Sequence, residues 1–152
     1  MSPEIAVDSN VLIALIDERD KFHFQANALY TVLRQAGYKA WFFDVVFNET
    51  VSVVARRHEE QKRTRPLQVL FERLERQVPK HSITWVARNT ESLFDQVMAL
   101  VHSSSGDLNF HDALIALACR ERGIPAIASF DADFDSIAWL TRIASVADLP
   151  QR

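Results

Sequence analysis

The sequence predicts an α/β fold, with a central, mostly parallel sheet flanked by helices. Three observations carry this. Short apolar runs stop at acidic or turn residues, as at Ile5-Ala6-Val7 before Asp8 and at 39–43 before Asp44. A stretch with helical spacing of apolar residues follows each run. The order strand then helix recurs along the chain, as a parallel sheet requires, because parallel neighbours must be joined by a crossover.

The elements follow in order. After the strand 5–7, Ser9-Asn10 opens the apolar run Val11-Leu12-Ile13-Ala14-Leu15-Ile16, a helix. Asp8 therefore stands at a strand-to-helix junction, where it could cap the helix or, if Ser9 or Asn10 caps instead, keep its carboxylate free. A charged turn, 17–20, precedes a helix over 22–35, whose Phe22, Ala26, Leu29, Tyr30 and Leu33 form a core-facing stripe. His23 on it reads as a surface or satisfied histidine. Gly37 ends this helix, and 39–43 is the next strand. Asp44 is the natural cap of the helix that follows through Arg57, and Glu49 lies in its second turn among apolar neighbours. A buried glutamate there needs a partner. Residues 56–65 are charge-rich, and 67–78 is a helix with Leu67, Leu70, Phe71 and Leu74 on one face. A strand is expected at 83–86, then a helix capped by Asn89 or Thr90, then a loop at 103–107.

The most informative stretch is 109–133. Asn109 is a good cap for a helix that Gly123 stops, and 124–129 suits a buried strand. A helix of roughly 12 residues spans about 18 Å, and a strand of roughly six returns about 20 Å. Packed antiparallel, the two bring Asp112 and Asp131 to the same edge. Residues 133–135 make a turn and 139–143 a last strand.

Bulk properties exclude several classes. At 152 residues the chain suffices for one domain, 1–152, with a real core. A net charge of −3 gives no general pull toward nucleic acid, so such binding needs a local basic patch. One cysteine cannot form an internal disulfide. Cys119 sits among apolar neighbours, more like core than nucleophile. No apolar run is long enough for a signal core or a membrane span, so a cytoplasmic protein is expected. With three glycines there is no Gly-rich phosphate loop.

Asp8, Glu49, Asp112 and Asp131 all fall at the carboxyl edge of the predicted strands, where ligands bind in such sheets. Clustered carboxylates repel, so some stay protonated at neutral pH unless a cation joins them. Oxygen ligands without Cys or His suit Mg²⁺ or Mn²⁺ rather than Zn²⁺, and such a centre suits phosphodiester chemistry. Asn10 is placed to orient a carboxylate or a water. His111 is about 100° around the helix from Asp112, which makes it at most a substrate-side group. Arg56, Arg57, Lys62, Arg63 and Arg65 are candidate contacts to a nucleic-acid backbone.

Four segments together resemble the successive motifs of PIN-domain nucleases: Ile5-Ala6-Val7-Asp8-Ser9-Asn10-Val11-Leu12, Asn48-Glu49, Phe110-His111-Asp112-Ala113-Leu114-Ile115-Ala116, and Ser129-Phe130-Asp131-Ala132-Asp133-Phe134-Asp135. The resemblance is to the small VapC-type toxins of toxin–antitoxin pairs, and it spans 5–143. It implies a PIN-like domain and Mg²⁺- or Mn²⁺-dependent endoribonuclease activity on single-stranded RNA. It also implies a homodimer and a cognate antitoxin covering the site. Asp8, Glu49, Asp112 and Asp131 match the family's metal-site acids, Asn10 its polar residue after the first Asp, and Asp133 could replace or assist Asp131. The chain is somewhat longer than the most compact toxins, and the extra length falls within 56–78.

Two other readings compete. One is a PIN-like module that binds RNA or protein without cutting, which a missing acid would favour; none is missing. The other is a phosphatase of the aspartate-nucleophile type, whose chemistry wants an acid two positions after the first Asp, where this chain has Asn10.

Overall fold

A computed structural model describes residues 1–62, 64 and 66–151. Five strands form one sheet: β1 (Glu4–Val7), β2 (Lys39–Phe43), β3 (Ile83–Thr84), β4 (Ala126–Ala128) and β5 (Thr141–Ile143). Their order across the sheet is β3-β2-β1-β4-β5, and every pairing is parallel. β1 is central, with Ala6 level with Trp41 on one side and Ile127 on the other. Its burial on both faces explains why Ile5-Ala6-Val7 is a continuous apolar run with no alternation.

Among the described residues, six α-helices make the crossovers from β1 to β4: α1 (Ser9–Ile16), α2 (His23–Gln35), α3 (Asp44–Glu60), α4 (Leu67–Gln77), α5 (Thr90–Ser103) and α6 (Phe110–Arg122). α1 packs on α2, α3 and α4, while α5 and α6 pack as a pair. From β1 the chain steps outward through β2 to β3, then returns across the sheet through α5 and α6 to β4 on the other side of β1. The strand order therefore reverses between β1 and β4, and their carboxyl ends open a crevice between diverging loops.

α6 is the most deeply placed helix, with every residue from Asp112 to Cys119 buried. Leu114 and Leu117 meet Leu93 and Val97 of α5, while Ile115, Ala116 and Ala118 join the main core. As expected, Asn109 caps it, its side chain accepting the Asp112 N–H at 2.8 Å. Gly123, at φ 65°, ends it, and the Ile124 N–H reaches back to the Cys119 carbonyl at 2.9 Å. Only glycine adopts that left-handed turn without strain.

Several expectations need correction. Asp44 does not cap α3. Helix α3 begins at Asp44 itself, after Phe43, and the Asp44 carboxylate accepts from the N–H groups of Val86 (2.7 Å) and Ala87. The same bonds end β3 at Thr84, short of the expected 83–86, because they turn the next amides out of the sheet. Asn89 precedes α5 but makes no side-chain cap. β4 is shorter than 124–129; Pro125 has no N–H for the ladder, though its carbonyl still accepts from Thr141 N–H. Trp139 is not in β5. Its indole N–H donates to the Ala116 carbonyl at 2.8 Å, and the Arg120 guanidinium lies over its ring, so it packs on α6.

Candidate active site

At the carboxyl ends of β1 and β4 lies a cleft of about 510 Å³. Asp8, Glu49, Asp112 and Asp131 all line it, together with Asn10 and Asn109. They come from the end of β1, the second turn of α3, the first turn of α6 and the loop after β4.

Asp8 is almost completely buried, at 4 % exposure. Its Oδ1 accepts the Ser9 N–H at 2.8 Å and its Oδ2 accepts the Ser129 hydroxyl at 2.6 Å. It thus begins α1 and still presents its carboxylate to the cleft. Ser129 Oγ also accepts the Asp131 N–H at 3.0 Å and a bond from Asn10 Nδ2 at 3.3 Å. Asn10 Oδ1 accepts the Phe130 N–H at 3.1 Å. Ser129 and Asn10 thereby tie the first acid to the loop that carries the last. Glu49 Oε2 accepts the Ser9 hydroxyl at 2.8 Å.

His111, expected to be at most a substrate-side group, lies against one of the four acids. Its Nε2 lies 2.9 Å from Glu49 Oε2, a short contact that is not aligned as an ideal hydrogen bond. The roughly 100° between neighbours separates two Cβ directions, and the imidazole reaches across that angle to Glu49 on α3.

The electrostatics follow from crowding. Burial, then the charges of Asp8 and Asp131, push the Asp112 carboxyl up to about 7. Burial also raises Asp8, against the bond from Ser129. Glu49 moves down, chiefly through its contact with His111. Burial opposes charge on His111, but the Glu49 contact and the charges of Glu49, Asp8 and Asp112 outweigh it and raise its pKa. Among the described residues no hydrogen bond reaches the Asp112 carboxylate, and the nearby charge of His111 offsets only part of the repulsion there.

Asp133 does not line the cleft; it is exposed, and its N–H donates to Asp131 Oδ1 at 2.9 Å. The basic candidates divide. Arg57 lines the cleft but is paired with Asp20 at 2.9 Å. Arg56 is exposed and paired with Glu60 at 3.6 Å. Lys62 does not line the cleft, and Arg63 and Arg65 lie outside the described residues. Cys119 is buried in the core, its thiol pushed up to about 12 by burial. Sequence reasoning missed Ser9, Ser129, Arg19 and Lys21 as parts of the site. A serine just after an apolar strand, next to the acidic loop, was the available signal for Ser129.

This fold and this arrangement of acids define a class. The PIN domain family matches residues 5–140, and the chain belongs to that family. Its structure is similar to that of Mycobacterium tuberculosis VapC20, described as a Sarcin-Ricin loop cleaving toxin. The TM-score is 0.67 and the identity 21 %, over 89 % of this chain and 95 % of that one. Comparison with curated proteins finds no match. Among the described residues, no helix is long and apolar enough to cross a membrane.

The donor chemistry fits a hard divalent cation: oxygen ligands, net negative charge, and in Asp112 a buried acid without a donor. As placed, no three acidic, histidine or cysteine side chains among the described residues already form a cage. Glu49 is drawn toward His111, so binding an ion requires side-chain rotation.

Proposed function

We propose that the protein is a metal-dependent endoribonuclease that hydrolyses single-stranded RNA, and that it is the toxin of a VapBC-type pair. The observation that carries this reading is the meeting of Asp8, Glu49, Asp112 and Asp131, from four distant segments, on one cleft at the reversal of strand order. Asp8, Glu49, Asp112 and Asp131 would hold Mg²⁺ or Mn²⁺. Asp133, outside the cleft, is the weaker candidate for the fourth acid. When bound, the ion supplies Lewis acidity at the phosphoryl oxygen and makes hydroxide available near neutral pH.

The chain's own residues prepare for that. Ser129 and the Ser9 N–H fix both oxygens of Asp8. The Ser9 hydroxyl holds Glu49, and His111 balances its charge when no cation is present. Asp112 has to give up its proton to act as a ligand, so binding of the ion and release of that proton are linked. No side chain attacks the phosphorus, so water is the nucleophile.

The test is cleavage of a mixed pool of single-stranded and hairpin RNAs, with Mg²⁺, with Mn²⁺ and with EDTA. We expect cutting with either metal and none with EDTA, and a loss of about 100-fold or more in kcat/KM for Asp8→Asn and Asp112→Asn. Cutting that survives both substitutions would refute the four-acid site. Absence of cutting by folded protein would favour an RNA- or protein-binding module. In this reading the toxin is also a homodimer and has a cognate antitoxin that covers the cleft. Light scattering after size exclusion tests the first, and inhibition of cleavage by a co-expressed neighbouring gene product tests the second.

A further inference from the structure

The floor of the cleft is acidic, so an RNA strand lying across it is repelled wherever a cation does not screen the phosphates. The basic segment 56–65 was the expected remedy, yet Arg56 and Arg57 already have acidic partners. The loop between α1 and α2 carries two other cations, Arg19 and Lys21. Both line the same cleft as the acids, both are exposed, and neither has an acidic partner among the described residues.

The loop is held rigidly. Asp17 is buried and accepts the Arg19 N–H at 3.0 Å through Oδ1, and its carbonyl accepts the Asp20 N–H at 3.0 Å. Asp20 uses both carboxylate oxygens, one for the Phe22 N–H at 2.8 Å and one for Arg57 at 2.9 Å. The Phe22 ring stacks on Phe130 with centroids 4.4 Å apart, which joins the loop to the segment carrying Asp131. Arg57 is therefore a brace for this loop, its charge already compensated. Two cations without an acidic partner among the described residues, on a braced backbone, are a preorganised phosphate grip, because little entropy is lost when a strand docks.

We propose that Arg19 and Lys21 hold the RNA phosphates that flank the scissile one, making the 17–22 loop the strand-binding wall of the cleft. This rests on the nuclease reading of the acidic floor. Each contact releases condensed counterions, so each adds about 0.7 to the salt slope of single-strand binding.

The test compares wild type with the double variant Arg19→Ala/Lys21→Ala. One arm measures anisotropy of a fluorescent single-stranded RNA in EDTA over a KCl series. The other measures cleavage kinetics in Mg²⁺. Both side chains are exposed, so the variant should keep its melting temperature, checked by circular dichroism. We expect binding weakened about tenfold or more at low salt, with a log Kd against log [KCl] slope lower by about 1.4. In Mg²⁺, KM should rise about tenfold, with kcat within about threefold. Arg56→Ala should change neither slope nor KM by more than about twofold. Unchanged affinity and slope in the double variant, or no binding by wild type, overturns the inference. If wild type cuts RNA but the slopes agree, the loop assignment fails and the nuclease stands. If wild type binds RNA with the expected slope difference but never cuts, the loop is a strand contact, but the nuclease reading fails, and with it the placement of Arg19 and Lys21 beside a scissile phosphate.

Discussion

Asp112 shows how a single residue carries the tension of the site. Its carboxyl is raised to about 7 from an ordinary 3.8, first by burial and then by Asp8 and Asp131. The folded state therefore holds that proton more tightly than the unfolded state. Relative to high pH, this stabilises the fold fully below about pH 4, and the stabilisation is lost as pH rises from about 4 to about 7. In EDTA, Asp112→Asn should melt higher than wild type at pH 8, by roughly 3 °C or more, and the gap should shrink toward pH 5. Differential scanning fluorimetry across that range reads it directly. A variant that melts lower at pH 8 would mean that the attraction of His111 outweighs the burial and repulsion at Asp112. Repulsion of this kind is common where function needs groups that the fold would not choose.

At the scale of the element, two acids at equivalent-looking junctions do different work. Asp8 and Asp44 each directly follow a strand, Asp8 as the residue before α1 and Asp44 as the first residue of α3. Asp8 faces the cleft, whereas Asp44 binds the amides of Val86 and Ala87 and anchors the segment after β3. Removing it leaves two backbone donors without an acceptor. Asp44→Ala should cost about 1–3 kcal/mol, a fall in Tm of several degrees, with kcat/KM per folded molecule within about twofold. Thermal melts and cleavage rates on the same preparation check both. A loss of cleavage comparable to that of Asp8→Asn would place Asp44 in the site after all. α6 illustrates the opposite case. Its cap at Asn109, its buried run and its glycine stop are all local features, so its position in the chain could be read directly.

At the scale of the whole molecule, the site joins the ends of β1 and β4 to the starts of α3 and α6. A cation bound by all four acids would tie together segments 123 positions apart, from Asp8 to Asp131. Ligand binding to the folded state alone stabilises by RT ln(1 + [L]/Kd), about 2.7 kcal/mol at a hundredfold excess over Kd. Mg²⁺ or Mn²⁺ should therefore raise the Tm of wild type by several degrees, and that of Asp112→Asn by much less. Equal shifts in the two proteins would locate the binding elsewhere.

The α/β class, the strand-then-helix order and the four acids at the carboxyl edge were determined by sequence alone. Hydrophobic periodicity, caps and glycine stops are local, and with a parallel sheet they place every post-strand acid on one side. The tertiary structure decided what depends on contacts between distant segments. It set the sheet order that opens the crevice between β1 and β4, and the meeting of His111 from α6 with Glu49 from α3. It paired Ser129 with Asp8. It also pairs Arg57 with Asp20 and leaves Arg19 and Lys21 at the cleft with no acidic partner among the described residues. No spacing rule encodes those pairings, because each forms across a crossover whose geometry the whole sheet imposes.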